Sequence, residues 1–211
     1  MLDNLLRYKK NQKYIFFDYE TEGLNLYSSK PFQLSFITSE GQDIIEKADY
    51  YMDWPDLKIP KEVQALTHLN WEEFRAKKKN GKEVLKHFEK YLYDPDYLIV
   101  GHNIANYDIY IHNIHRRLTG FKTDYSYVDR IVDTLCLAKS LKYGIPKSES
   151  DCLYQWQCRL ITERRRNIKV SQKAMLKDLG IDFDDNKLHN SLYDVEKCKE
   201  MFFKLIWSVE V

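Results

Sequence analysis

Cysteine is scarce: Cys136, Cys152, Cys158 and Cys198 are the four in 211 residues. No two form a CxxC, and no Cys/His pairs have the tight spacing of a zinc site, so a metal- or disulfide-stapled scaffold is not the expectation. A chain of this length needs no staple, because it buries roughly 70% of the surface it would expose unfolded. Long apolar runs are missing too: no stretch approaches the roughly 18 residues of a membrane span. The opening MLDNLLRYKKNQKY has no apolar core ahead of a small-residue cleavage site. The expectation is reduced thiols in a cytoplasmic compartment. Charge of one sign is the third absence. Lys and Arg total 33 against 32 Asp and Glu, a formal +1, so the electrostatic argument for a nucleic-acid partner that begins from a strongly basic chain does not apply. There is no internal repeat and no low-complexity linker. The expectation is one domain over residues 1–211, with 1–12 a short N-terminal extension.

What is present is ample core material: 44% hydrophobic and 14% aromatic residues, spread along the chain. Charge is segregated rather than absent. Residues 159–173 carry Arg159, Arg164, Arg165, Arg166, Lys169 and Lys173 against Glu163 alone. Residues 178–196 carry Asp178, Asp182, Asp184, Asp185, Asp194 and Glu196 against Lys187 alone. Two solvated faces of opposite sign would look like this. So would a protein that holds phosphates in one place and cations in another.

Apolar periodicity predicts the elements. Lys13–Asp18 reads as a buried strand, Phe32–Ile37 as a second, and Asp43–Met52 as a third, in a hairpin turning at Gly41. Short helical pieces follow at 61–66 and 70–75. Lys82–Tyr93 is an amphipathic helix ended by Asp94-Pro95. Tyr97–Val100 is a fourth strand, 106–118 a helix stopped at Gly120, Ser126–Val132 a fifth strand and Asp133–Leu141 a helix. Two or three helices fill 150–180, and the last runs from about Ser191 to Trp207. A meander followed by β-α-β predicts an α/β fold, a mixed five-stranded sheet flanked by helices, with sites at the carboxyl ends of its strands.

The chemistry-bearing residues fall at such ends. Asp18 and Glu20 close the first strand and, two residues apart, share a face. Two adjacent carboxylates repel unless a cation sits between them; a solvent-exposed strand end is the alternative. The fourth strand leads into Gly101-His-Asn-Ile-Ala-Asn-Tyr-Asp108, which puts Asp108 in a loop or a first helical turn, where the helix dipole alone would favour an acid. The third block is His189-Asn-Ser-Leu-Tyr-Asp194. A five-residue step rotates roughly 140° on a helix. His189 therefore belongs in the loop, Asn190 or Ser191 at the N-cap, and Asp194 inside the helix near its apolar stripe.

Taken in order, D-x-E at 18–20, N-x-x-x-Y-D at 103–108 and H-x-x-x-x-D at 189–194 resemble the three blocks of the DEDDh 3′→5′ exonucleases, within the RNase H-like superfamily. That family includes the proofreading subunit of bacterial replicative polymerase, RNase T and oligoribonuclease. The resemblance covers residues 14–207. Thr21-Glu-Gly-Leu24, Val132-Asp-Thr-Leu135 and Leu176-Lys-Asp-Leu-Gly-Ile181 are similar to the family's intervening pieces. Its implications are an RNase H-like fold and two Mg²⁺ or Mn²⁺ ions held by Asp18, Glu20, Asp108 and Asp194. His189 would be the general base, releasing nucleoside 5′-monophosphates from single-stranded 3′ ends.

The same resemblance makes Leu24 a wedge against the terminal base, with Thr21 and Gly23 beside it; a core leucine is the alternative. His102 and Asn103 would touch the last phosphate or sugar, or order their loop, and Tyr107, a further candidate substrate contact, stands where the family more commonly has Phe. Glu22 departs from the family's second Thr. It is expected either at the surface or tuning nucleotide preference. Arg164, Arg165 and Arg166 are candidates for phosphate contacts, and Lys77–Lys79 read as a solvated loop.

DNA is the expected polymer. RNA trimming is the rival within the enzyme class, since recognition of the 2′-OH decides between them. A catalytically inactive nucleic-acid-binding module is the rival outside it, against which the intact set of four acids and His189 counts. A separate polymerase or replication or repair protein, or a second copy of the chain, would be the protein partner. Lysine outnumbers arginine 24 to 9, which points to an AT-rich genome.

Overall fold

The computed structural model describes residues 5–211. The first strand, β1 (Lys13–Thr21), is apolar on both faces because it is covered on both. Tyr14 and Phe16 enter one core cluster, and Ile15, Phe17 and Tyr19 enter another on the opposite face. β2 (Pro31–Glu40) and β3 (Asp43–Tyr51) complete an antiparallel meander. β4 (Tyr97–Gly101) and β5 (Ile131–Asp133) pair in parallel, β4 on β1 and β5 on β4. The order is β3-β2-β1-β4-β5, so the expected mixed five-stranded sheet is present, with β1 at its centre.

Eight α-helices lie among the described residues. α1 (Lys61–Leu66), α2 (Trp71–Lys77) and α3 (Gly81–Leu92) follow the meander. α4 (Asp108–Leu118) links β4 to β5, and α5 (Thr134–Tyr143), α6 (Leu153–Thr162), α7 (Gln172–Asp178) and α8 (Ser191–Ser208) follow β5. Val84 and Phe88 of α3 and Ile109, Ile111 and Ile114 of α4 pack on the odd-numbered face of β1. Leu137 of α5, Trp156 and Leu160 of α6, Met175 of α7 and Met201, Phe202 and Leu205 of α8 pack on the even-numbered face. Asp18 and Glu20 continue that even row beyond the aromatic core, so they emerge on the α8 side of the sheet's carboxyl end.

One expectation needs correction. The fifth strand does not begin at Ser126. Asp124 accepts the Ser126 amide (2.8 Å), Tyr127 buries its hydroxyl on His112 (2.8 Å), and Val128–Arg130 form a 3₁₀ turn. A local side chain-to-backbone bond here competes successfully with strand extension. Only three residues of β5 remain, and Gln157 of α6 closes their outer edge by accepting from the Asp133 amide (2.6 Å) and donating to the Ile131 carbonyl (2.9 Å). The N-terminal extension, where it is described, docks on the domain. Leu6 enters the core and its amide donates to the Val211 carbonyl (2.8 Å); residues 1–4 lie outside the described part.

Gly101 sets how closely β4 turns beneath β1. A Cβ there would lie 2.1 Å from the Ile104 side chain and 3.0 Å from the Phe17 carbonyl oxygen. Gly101→Ala should lower stability by about 1–3 kcal/mol through overpacking. The urea midpoint measures this, and an unchanged midpoint would show that the loop has room to move.

Candidate active site

The end of β1 has the alternation its sequence requires: Asp18 and Glu20 are half-buried on one face, while Tyr19 between them is buried on the other. Tyr19 holds the next acid in place. Its amide donates to Asp108 Oδ1 (3.0 Å), at the first residue of α4 and only 3% exposed. Asp194 lies in the first turn of α8. Asn190 is the N-cap, accepting from the Tyr193 amide, and Ser191 Oγ donates to the Asp18 carbonyl (3.2 Å), fastening the start of α8 to β1. His189 precedes the cap at φ +68°, and its amide donates to Asp194 Oδ2 (2.9 Å).

The four acids share one electrostatic environment. Burial, and then the charges of Glu20, Asp108 and Asp194, push the Asp18 carboxyl well above its ordinary range. Burial, then Asp194 and Asp108, do the same to Glu20. Burial lifts Asp108 and Asp194 to about 7 each, although each accepts a backbone amide that favours its ionised form. Among the described residues none of the four is paired with a Lys, Arg or His side chain. As they stand, no three acidic, His or Cys side chains among the described residues are arranged to hold an ion. Asp108 and Asp194 are each turned onto an amide. The donor set, all carboxylate oxygen and without its own counter-charge, nevertheless fits a hard divalent cation.

His189 is exposed, and burial of part of its ring, then His68 and Lys173, lower its pKa, so the imidazole is neutral near pH 7. His68 is a residue the sequence reading missed. At φ +53° in the α1–α2 connection, it sends Nε2–H to the Leu188 carbonyl (3.2 Å), beside His189. Nothing in its sequence surroundings marks it.

The segment after β1 carries Leu24 at 85% exposure and Tyr27 at 90%. Leu24 is therefore not a core leucine. The Thr21 and Tyr107 hydroxyls, 2.6 Å apart, both reach the Gly23 carbonyl, at 2.5 and 2.9 Å. The hydroxyl that distinguishes Tyr107 from Phe thus ties the start of α4 to the loop that bears Leu24. Glu22 is half-buried between two loops. Its carboxylate accepts the amides of Lys30 (3.2 Å) and Lys58 (3.0 Å), strapping two loops together.

His102 and Asn103 belong to a loop ordered by Asp133. That carboxylate, fully buried and raised to about 6 by burial, accepts the amides of Asn103 (2.8 Å), Ala105 (3.0 Å) and Leu135 (2.9 Å). Asn103 lies at φ +68°. Thr134 Oγ1 donates to the Gly101 carbonyl and so accepts from His102 Nδ1 (3.0 Å). Burial, and then Lys139, take the His102 imidazole down to about 4.

Arg164, Arg165 and Arg166 are exposed, with Arg165 over the Tyr143 ring (5.0 Å) at the last turn of α5. They lie at the end of α5 opposite Asp133, so they do not join the acids. Lys77 and Lys78 pair with Glu73 (2.7 Å) and Asp53 (2.6 Å).

The acids set a sign for stability against pH. Between pH 6.5 and 8 unfolded carboxylates are already ionised, whereas unfolded histidines are still about half protonated at the lower end; His102, His112 and His115, all held below their ordinary values, are neutral when folded and so offset part of the carboxylate effect. Asp108 and Asp194 at about 7 still hold protons only in the folded state. Stability in EDTA should therefore fall across this window, by roughly 1 kcal/mol per carboxylate less the smaller histidine term. Thermal melts at pH 6.5 and 8 measure it, and a flat or rising midpoint would contradict it.

The sequence model of the Exonuclease family (RNase_T) matches residues 15–202. Two relatives are DNA polymerase III PolC-type proteins. That of Pediococcus pentosaceus is 31% identical over 132 residues, 63% of this chain and 9% of the relative. That of Staphylococcus saprophyticus is 23% identical over 210 residues, 95% of this chain and 12% of the relative. The chain thus spans about a tenth of the length of these relatives. E. coli exonuclease I in complex with a dA16 oligonucleotide has a similar fold, with TM-score 0.72 and 18% identity over 93% of this chain and 41% of that one. The chain belongs to the RNase T-type exonuclease family and has its RNase H-like fold.

Proposed function

We propose that this exonuclease removes nucleotides from single-stranded 3′ ends, releasing nucleoside 5′-monophosphates, with DNA its preferred polymer. The observation that carries the reading is the group of four uncompensated acids beside a neutral, exposed histidine. Asp18, Glu20, Asp108 and Asp194 would hold two Mg²⁺ or Mn²⁺ ions. When bound, such ions stabilise charge on the attacking and leaving oxygens of a phosphodiester.

The chain's own residues do the rest. An unprotonated ring nitrogen of His189 accepts a proton from the attacking water, for which a lowered pKa keeps it competent at neutral pH. As the water oxygen bonds to phosphorus, the bond to the 3′ oxygen breaks. The His189 amide on Asp194, and Ser191 on the Asp18 carbonyl, hold the base and the acids in one frame. The exposed Leu24 packs against the terminal base, on a loop stiffened by Thr21 and Tyr107. Asn103 and His102 border the last phosphate through a loop that Asp133 keeps rigid.

The DNA preference is supported by the relatives, which are named DNA polymerases, and by the dA16 bound to exonuclease I. The same names make a polymerase the proposed protein partner.

Asp18→Asn should abolish cleavage of a 5′-labelled oligonucleotide while leaving the melting curve cooperative; normal turnover would remove Asp18 from the site. His189→Ala should lower kcat by about 10²–10⁴ with little change in DNA affinity, if it is the base. An unchanged kcat would end that assignment. Matched DNA and RNA strands in Mg²⁺ decide the polymer, and faster shortening of RNA from its 3′ end would overturn the DNA preference.

A further inference from the structure

Between α5 and α7 runs a groove of about 460 Å³, lined by Lys142, Lys169, Lys173, Lys177, Ser171 and Asp178 among others. Residues 164–177 include Arg164, Arg165, Arg166, Lys169, Lys173 and Lys177 and no acid at all. All six are exposed. Part of the charge is compensated: Lys142 pairs with Asp178, and Lys173 with Asp185 (3.0 Å). Lys169 and Lys177 have no acidic partner among the described residues. In a chain of net charge +1, such a concentration is local and must be offset by acids elsewhere.

The groove touches the catalytic edge at one end. Gln172, the first residue of α7, donates Nε2–H to the Asp194 carbonyl (2.9 Å). Lys173 reaches Asp185, in the 3₁₀ turn Asp185–Lys187 just ahead of His189. At the other wall, Lys142 Nζ donates to the Lys169 carbonyl (2.7 Å), which holds the α6–α7 connection against the end of α5, where Arg165 covers Tyr143. Cations therefore continue from the histidine loop, along α7, to the arginine run.

We propose that this lysine groove binds successive phosphates of a single-stranded polynucleotide upstream of the scissile bond. The Arg164–Arg166 run receives the more distant part of the same strand. This rests on the exonuclease reading for its direction, since the groove leaves the acids at the α7 end. Lysine suits a track of this kind, because a mobile point charge neutralises phosphates without demanding one register. It also separates two functions along the chain. The acids and His189 act on the terminal nucleotide, and the groove acts only on strands long enough to reach it.

The test is the combined variant Lys169→Gln, Lys173→Gln, Lys177→Gln. Binding of dT16 and of rU16 is measured by fluorescence anisotropy over a salt series, in an Asp18→Asn background so that neither strand is cut. Loss of three phosphate contacts should weaken both strands roughly tenfold and reduce the slope of log K against log salt by about two. Weakening of only one strand assigns the groove to that polymer. In the otherwise native chain carrying only Lys169→Gln and Lys177→Gln, so that the Lys173 that acts on His189 stays in place, hydrolysis of the p-nitrophenyl ester of thymidine 5′-monophosphate, too small to reach the groove, should stay within twofold. The matching Lys→Arg variant should keep the native slope, which separates lost charge from lost structure.

An unchanged slope in the Gln variant would overturn the proposal. So would a slope that falls equally in the Arg variant, or loss of binding to a poly-glutamate peptide with nucleic-acid binding intact. If the native chain cut neither strand yet the slope still fell by about two, the groove would stand and the exonuclease reading would fail.

Discussion

Four carboxylates repelling one another at the end of the central strand set the terms for the rest of this molecule. Asp18 and Glu20 arise from ordinary strand alternation, on the row that Tyr14 and Phe16 bury one step earlier. Asp108 and Asp194 arrive on the first turns of α4 and α8. Burial raises all four, and none has a cationic side chain beside it among the described residues. Such a group costs stability at neutral pH, since the folded chain must either hold protons or hold unscreened charge. A fold keeps it only if the surrounding backbone fixes the acids independently of their mutual repulsion.

The backbone does so through short, specific bonds. The Tyr19 amide holds Asp108, the His189 amide holds Asp194, and Ser191 joins α8 to the Asp18 carbonyl. Behind them Asp133 gathers three amides from two segments, and Gln157 closes the β5 edge from which Asp133 projects. Asp133 is an acid of the same kind as the other four, but it is fully buried where Asp18, Glu20 and Asp194 are only half-buried, and every bond it makes is to backbone. It organises the loop and leaves the exposed chemistry to its neighbours.

Much of this was legible in the sequence, for identifiable reasons. The strand run at 13–18, the meander and the mixed sheet follow from apolar periodicity, and the loop position of His189 follows from the helical rotation between it and Asp194. The parts that were not legible depend on bonds between distant segments. Glu22 looked like a surface or specificity residue, but its carboxylate straps Lys30 to Lys58, and 36 residues of separation hide that from any local pattern. The shortened β5 follows from an Asp124 turn that the apolar residues at 127, 128, 131 and 132 mask. His68 reaches the loop that bears His189 across 120 residues. That Leu24 lies outside the core depends on the path of its loop, which no local pattern gives.

The central claim is that the acid group is a cation site held protonated when no cation neutralises it. Calorimetric titration of the native chain with Mn²⁺ at pH 7, in two buffers of different ionisation enthalpy, tests it most directly. Metal binding requires ionised carboxylates, so protons held at about pH 7 must leave as the ion enters. The account predicts binding heats that differ between the buffers by an amount equal to release of about one proton or more. Saturable binding with identical heats in both buffers, or no binding at all, would contradict it.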